Sequence, residues 1–540
     1  MCTGVISFTD MTEKIIEQHD QEAAPDRLPV LPSKPSSDQS GEIVIPELAI
    51  SQWRRIVLAG LMMFTTFIAS ATIAGSLLII PAMSADLGIK DLQAQWISSA
   101  YSLANGCGLL FFGRVADLYG GEYLFLLGMG LYTLFSVISG FVRQSTALCV
   151  VRALAGLSLS IALPAAFGII GRTFRSEPSR TIAFASLALG VPIGAGPGQV
   201  IAGCMAGVSP KSWQYNFFIL AGLAIIPCLP GIFIIPSEPR KQKQISTTNN
   251  RVNKKFDWLG AGLITSALDL IGFGLTQGGL IDKGWKEPYI GICVGLAVLL
   301  FAGFIYWEKR TIKSSSNIAP LVNLSMFIRY DHKVTAVLCV AFTGYLSVAG
   351  WMYLTTIYFQ TLLQETPLTN ALHVLPAPIV GALACFLVTL LAPRVPAPYL
   401  LAMGGCCTAI AHILFAVAPL HRTWWINGFL SNLFNPFGAD FTVGIGSILI
   451  SNLVNEDEQS ISGALFQTAL QLASTLGVCL CSLTQKIVMD KTGSLEKGLR
   501  VGFWLMAAFS FFSALIALIA LRKVGLARDI RKVTEGSTAS

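Results

Sequence analysis

Residues 56–81 read IVLAGLMMFTTFIASATIAGSLLIIP, 26 residues without a charged side chain. A helix of about 20 apolar residues crosses the hydrocarbon core of a bilayer. This first run therefore reads as a membrane span. Thirteen more apolar runs follow it, at 94–112, 123–142, 147–170, 181–206, 214–235, 257–276, 288–306, 334–358, 369–391, 398–418, 424–451, 460–484 and 500–521. Several carry internal Gly and Pro, which membrane helices tolerate when neighbours satisfy the freed backbone groups. The reading is an all-α integral membrane protein with 14 transmembrane helices.

Composition agrees. Of 540 residues, 53% are hydrophobic and 12% charged, against about 25% charged in a soluble domain. That excludes a disordered chain and argues against an ordinary soluble enzyme. The net charge of +7 is too small to mark a nucleic-acid partner. Of the 12 cysteines, all but Cys2 fall in apolar runs, and none forms a CxxC pair. Neither a metal site nor a disulfide framework is expected. The absence of a GxxxxGK[ST] loop argues against ATP hydrolysis, so no cofactor is expected.

Basic residues set the orientation. With both termini inside, 23 of the 37 Lys and Arg fall in inside segments near spans and 10 in outside loops. Cytoplasmic termini follow from the positive-inside rule. One inside loop, Asn455-Glu456-Asp457-Glu458, is acidic, but acidic residues count little in that rule. Residues 1–50 are polar and Pro/Ser-rich, too poor in apolar area to offset ordering entropy, so a disordered cytoplasmic tail is expected. They lack the pattern of a cleaved signal peptide.

Two inside linkers, 237–256 and 307–333, isolate spans seven and eight. The expected organisation is a six-helix bundle at 51–236, linkers and an inserted pair at 237–333, a second six-helix bundle at 334–521, and a cytoplasmic tail at 522–540.

A charge at mid-membrane costs about 2.5–3.5 kcal/mol on insertion scales, so each is a functional candidate. Three strongly charged side chains lie inside the spans, away from their ends: Arg152, Asp269 and Asp440. Arg152 is either a cation facing a cavity or an arginine snorkelling to a membrane face. Asp440, in Asn435-Pro436-Phe437-Gly438-Ala439-Asp440-Phe441, is either a proton carrier or a carboxylate neutralised by local hydrogen bonds in a broken helix. Asp269 could carry protons, but its place in the inserted pair suits a peripheral or packing role. His412 and His373 fit as satisfied helix residues.

Two Gly-rich segments complete the inventory. The loop after span two reads Gly113-Arg114-Val115-Ala116-Asp117-Leu118-Tyr119-Gly120-Gly121-Glu122. Its glycines permit a very short turn, and Asp117 can pair a cation or cap a helix. Span five holds Gly190-Val191-Pro192-Ile193-Gly194-Ala195-Gly196-Pro197-Gly198, where glycines four apart allow close helix approach.

These residues resemble the major facilitator superfamily, and within it the fourteen-span drug:proton antiporters of fungi. Gly113, Arg114, Asp117 and Gly120 match the superfamily's loop motif. Gln95-Trp96 with Tyr101 fit its second span, and Arg152 with Gly156 resembles its fourth-span motif. Gly194, Gly196 and Pro197 resemble the antiporter motif of span five. Trp213 with Phe217 resembles the start of span six, and 367–376 the tenth span. The likeness covers about 50–525. Gly121 and Glu122 stand where the family usually has basic residues, and no Asp or Asn stands in the first span.

The resemblance implies the major facilitator fold, with two bundles alternating around a midplane site. It implies secondary active export of a small, fairly hydrophobic compound such as a drug, toxin or secondary metabolite, by proton antiport. Arg152, Asp440 and Asp269 are the candidates for the proton and substrate pathway. The expected partners are the small-molecule substrate, protons and the lipid bilayer, for a monomer in the plasma membrane or an internal one. Proton-coupled uptake of a nutrient or ion is the alternative, followed by a non-transporting sensor. An enzyme is not expected, because the five histidines are scattered.

Overall fold

The computed structural model describes residues 51–89, 91–174, 179–209, 211–235, 255–280, 286–313, 318–319, 321–322, 324–328, 331–419, 424–454, 459–522 and 524–526. The expected tail 1–50, most of 522–540, most of the linker 237–256 and the acidic loop 455–458 lie outside the described residues.

Helices dominate because a chain in hydrocarbon must satisfy its backbone groups internally. The first half contains α1 (Gln52–Leu78), α2 (Ile80–Leu87), α3 (Asp91–Tyr119), α4 (Gly121–Phe141), α5 (Ser145–Thr173), α6 (Ser179–Val208) and α7 (Trp213–Ile234). The middle holds β1 (Lys255–Phe256), α8 (Trp258–Leu280), α9 (Pro288–Lys313), β2 (Ile318–Ala319) and α10 (Ser325–Ile328). The second half contains α11 (Lys333–Ile357), α12 (Pro367–Val374), α13 (Pro376–Leu391), α14 (Ala397–Ala416), α15 (Trp424–Leu453), α16 (Gln459–Thr492) and α17 (Leu495–Ala520).

Among the described residues, 13 spans are long and apolar enough to cross a membrane, one fewer than the sequence predicts. The exception is α3. Its 29 residues reach about 43 Å at 1.5 Å per residue, ample for a bilayer. Ser98, Ser99, Ser102 and Asn105 dilute its apolar run. A second difference concerns the Gly113 segment, expected as a loop. Residues 113–119 continue α3 as helix, and the link to α4 is Gly120 alone. Gly120 has φ +97 and ψ 141, a conformation essentially restricted to glycine. The tenth span is split at Leu375 into α12 and α13, with Pro376 opening the second piece.

The two halves share one packing scheme. α1 packs on α6, α3 on α5, and α4 on α5 and α7. In parallel, α11 packs on α16, α13 on α15, and α14 on α15 and α17. The halves meet along two seams, α3 against α16, and α6 against α12, α13 and α15. These are the two six-helix bundles, with α8 and α9 as the inserted pair. α9 is peripheral, with 17% of its apolar window buried, whereas α5 and α15 are central at 78% each.

α8 lies over the α3–α16 seam, packing on both helices. Trp96 Nε1 of α3 donates to Gln277 Oε1 of α8 at 2.6 Å, and the Cys479 thiol of α16 donates to the carbonyl of Leu275. Asp257 caps α8, accepting from the backbone N–H of Gly260 at 2.8 Å, as an N-cap carboxylate does. The segment after α9 folds back on it. Buried Glu308 accepts from the N–H groups of Leu321 at 2.8 Å and Val322 at 3.1 Å, and β1 pairs in parallel with β2.

Candidate functional site

A cavity of about 160 Å³ lies between the bundles, walled by α1, α5, α6, α11, α12, α13, α15 and α16. Most of the wall is apolar, including Ile73, Val191, Val348 and Met352. Among the described residues, Asp440 of α15 is the only charged side chain on it. The other polar groups are Thr66, Ser70, Gln199, Tyr345, Trp351, Asn435, Gln467 and Gln471.

Asp440 is buried at 5% exposure. Its Oδ1 accepts from the Cys385 thiol of α13 at 3.7 Å. Its Oδ2 lies against Gly381 of α13, where a methyl group would sit 2.6 Å from it and 2.8 Å from Pro192 of α6. The carboxylate therefore stands where the halves touch, and no ion pair to it occurs among the described residues. α15 runs unbroken through Pro436, unlike the broken helix considered from sequence. Gly404 of α14 and Gly438 of α15 let these helices touch, and Thr408 donates to the carbonyl of Asn435 at 3.1 Å. Two buried acceptors, Gln199 Oε1 and Asn435 Oδ1, have no hydrogen-bond partner among the described residues.

The span-five glycines position this wall. Gly190, Gly194 and Gly198 form one stripe of α6, against the backbone of Met63, Phe67 and Ala71 in α1. A methyl at Gly198 would sit 2.5 Å from the Ala71 Cα. Gly196 faces the other bundle, 3.0 Å from Pro378 by the same measure. Pro192 reaches the cavity wall, and Pro197 lies within the continuous helix.

Arg152 lies off the wall. It is fully buried in the first bundle, its guanidinium 4.7 Å from the ring centre of Tyr101 and 5.0 Å from that of Phe217. Its Nη2 donates to Ser76 Oγ of α1 at 2.8 Å. Asp269 of α8 is also off the wall and accepts from the Cys107 thiol of α3. Of these three charged candidates, Asp440 alone lies on the cavity wall among the described residues.

In the Gly113 segment, Gly113 is buried and Arg114 is half-buried within α3. The side chain of Asp117 lies outside the described residues. Gly121 abuts the Arg172 guanidinium of α5, 2.8 Å from the position of an added methyl.

Gln467 and Gln471 were missed by sequence reasoning. Two amides four apart in an apolar run were the available signal. His412 and His373 are hydrogen-bonded, as read from sequence: His412 Nδ1 lies 2.6 Å from the Thr408 carbonyl and His373 Nδ1 3.0 Å from Glu365 Oε2.

The model of the Major Facilitator Superfamily matches residues 62–478. The chain belongs to that superfamily. It is a multi-pass membrane transporter of a small molecule, and not an enzyme. Superfamily relatives include the low affinity ammonium transporter of Saccharomyces cerevisiae, 24% identical over 79% of this chain and 80% of that one. The efflux pump terJ of Aspergillus terreus is also 24% identical, over 79% of this chain and 80% of its own. Among solved structures, the human organic anion transporter MFSD10 has a TM-score of 0.59 at 12% identity, covering 87% of this chain and 100% of that one. At that identity the likeness concerns the superfamily fold alone.

Proposed function

We propose that this transporter exports a small, mainly apolar compound by alternating access, in exchange for protons bound at Asp440. Asp440 carries the reading: it is the cavity's only charge, buried, without an ion pair among the described residues, at the contact between the halves. A carboxylate so placed can hold a proton while one face is open and release it when the other opens. The apolar wall suits an apolar solute, and Gln199 and Asn435 offer acceptors for its donor groups. The name of the Aspergillus terreus relative supports export. Arg152 has a positioning role here, tying α5 to α1 behind the wall.

The energetics suffice. A proton moving through 100 mV releases about 2.3 kcal/mol, and one pH unit adds about 1.4 kcal/mol. Together they sustain a gradient of roughly a few hundred-fold at 1.4 kcal/mol per decade. Cytoplasmic termini and a plasma-membrane location complete the proposal, supported by the 23-to-10 distribution of basic residues.

The test is accumulation of a panel of labelled toxic compounds in cells with and without the protein, repeated with a protonophore. Lower accumulation that the protonophore abolishes is the expected result. Asp440→Asn should slow that efflux by roughly tenfold or more, the equivalent of 1.4 kcal/mol, with the protein still present in the membrane. Efflux at the normal rate in this variant would sink the proton role. The relative named as an ammonium transporter favours a second reading, uptake. Higher accumulation of labelled methylammonium would select it.

A further inference from the structure

We propose that α8 and α9 roof a lateral passage through which an apolar solute dissolved in the bilayer reaches the central cavity. The inference rests on the transport reading and names the route and the chemistry of its solute. It starts from a crevice of about 280 Å³ enclosed by α8, α9, α11 and α16. Leu268, Ile271 and Leu275 of α8, Phe301 of α9 and Leu476 of α16 line it, and its one polar side chain is Thr475. These positions fall near the middle of their helices, at the depth of the hydrocarbon core. Val298 and Phe301, 58% and 46% exposed, face outward at its rim.

Thr475 also lines a second, smaller space of about 40 Å³ between α1, α3, α8 and α16. This neck carries the hydroxyls of Ser98, Ser99, Ser102, Thr276, Ser474 and Ser482. Thr276 Oγ1 is buried with no hydrogen-bond partner among the described residues. Ile73 in turn lines both the neck and the central cavity. The three spaces thus form a series joined by shared walls, from hydrocarbon through a hydroxyl collar to Asp440.

The other seam, α6 against α12 and α13, makes close backbone contacts. There Gly196 and Gly203 of α6 bring backbone against Pro378 and Leu368, leaving about 3 Å to an added methyl. The neck is narrow. A space of about 40 Å³ holds a few water molecules at about 10–15 Å³ each, far below the roughly 300 Å³ or more of a pocket for a drug-sized ligand. A solute therefore passes only when α3 and α16 part. The collar selects an apolar body bearing a hydroxyl or carbonyl that the serines can bond during passage.

The full-length protein in liposomes would be photolabelled with 3-trifluoromethyl-3-(m-iodophenyl)diazirine, an apolar probe that dissolves in the bilayer, and the labelled residues mapped by mass spectrometry. Label on Phe301 and Leu476 should exceed that on the lipid-facing Leu299 roughly tenfold, an occupancy preference of about 1.4 kcal/mol. Ala297→Trp, which fills the crevice, should remove that excess. Val298→Trp at the rim does the same with less disturbance of packing. Equal label on Phe301, Leu476 and Leu299 would overturn the passage. So would equally strong crevice labelling by a phosphatidylcholine carrying a diazirine on its acyl chain, which makes the crevice a lipid seat. Crevice labelling that Ala297→Trp abolishes, in a protein whose cells show no efflux, keeps the passage and discards the export reading. Efflux that Ala297→Trp and Val298→Trp leave intact for every apolar compound discards the passage and keeps the export reading.

Discussion

The two bundles repeat one packing scheme but divide the chemistry unequally. In the first, the fully buried charge is Arg152, the eighth residue of α5, held between two aromatic rings and away from the cavity. The eighth residue of α15 is Ser431, which accepts from Trp351 Nε1 at 2.9 Å and donates to the Ala411 carbonyl at 2.9 Å. Both residues tie the first helix of their bundle to the fourth, one with a cation and the other without. The second bundle instead places its charge, Asp440, on the cavity wall. The helix seams differ too. Three glycines of α6 face α1, whereas in α16 Gly477 alone abuts the α11 backbone, at Leu346. The contrast teaches that pseudo-equivalent frames need not share labour. The first bundle is built around close backbone packing, and the second places a carboxylate on the cavity wall.

The largest expected effect tests the seams. Gly194→Val drives a branched side chain into the Phe67 backbone and should cost about 3 kcal/mol or more, at the upper end of overpacking. The readout is loss of monodisperse protein after detergent extraction. Milder behaviour than that of Gly477→Val would break the comparison. Next comes the cation. Arg152→Lys keeps the charge but loses the planar group stacked on Tyr101 and Phe217. About 2 kcal/mol is expected, the worth of a desolvated cation–π contact, read as a lowered denaturation midpoint. Ser431→Ala should cost about 1 kcal/mol less, because it removes only neutral hydrogen bonds. A larger loss for Ser431→Ala than for Arg152→Lys would break the contrast between the charged tie and the neutral one. The smallest effect belongs to the helix links. Gly120→Ala forces an L side chain into a region open essentially to glycine, at about 1 kcal/mol, the low end of such strain. Arg394→Ala, at an exposed position of the five-residue link 392–396, should change stability by under roughly 0.5 kcal/mol, as surface substitutions usually do.

The architecture was legible because a bilayer leaves few options. Long apolar runs become helices, and two basic linkers mark off the inserted pair. α3 shows where this reading weakens, since its serines make a full-length helix look barely apolar. The Gly113 segment misled in another way. Gly113, Gly120 and Gly121 suggested a loop, but the helix runs to Tyr119 because the chain needs only one residue, Gly120, in an unusual conformation. At the site, charge in an apolar run made Asp440, Arg152 and Asp269 the candidates, and the structure places Asp440 on the cavity wall. Which of them faces the cavity was not legible. That depends on helix rotation, which a sequence nearly apolar all round does not encode. Gln467 and Gln471 were hidden for the same reason.

The link at Gly120 has a mechanical consequence. A single residue separates α3, which borders the opposite half, from α4, which is packed into its own. One residue spans about 3.8 Å, so the joint has almost no slack. Displacing α3 at the seam must drag α4 with it, and through α4 the helices α5 and α7. The first bundle therefore answers a push at its edge as a single lever. The Ala392–Pro396 link gives α13 some play before α14 has to follow.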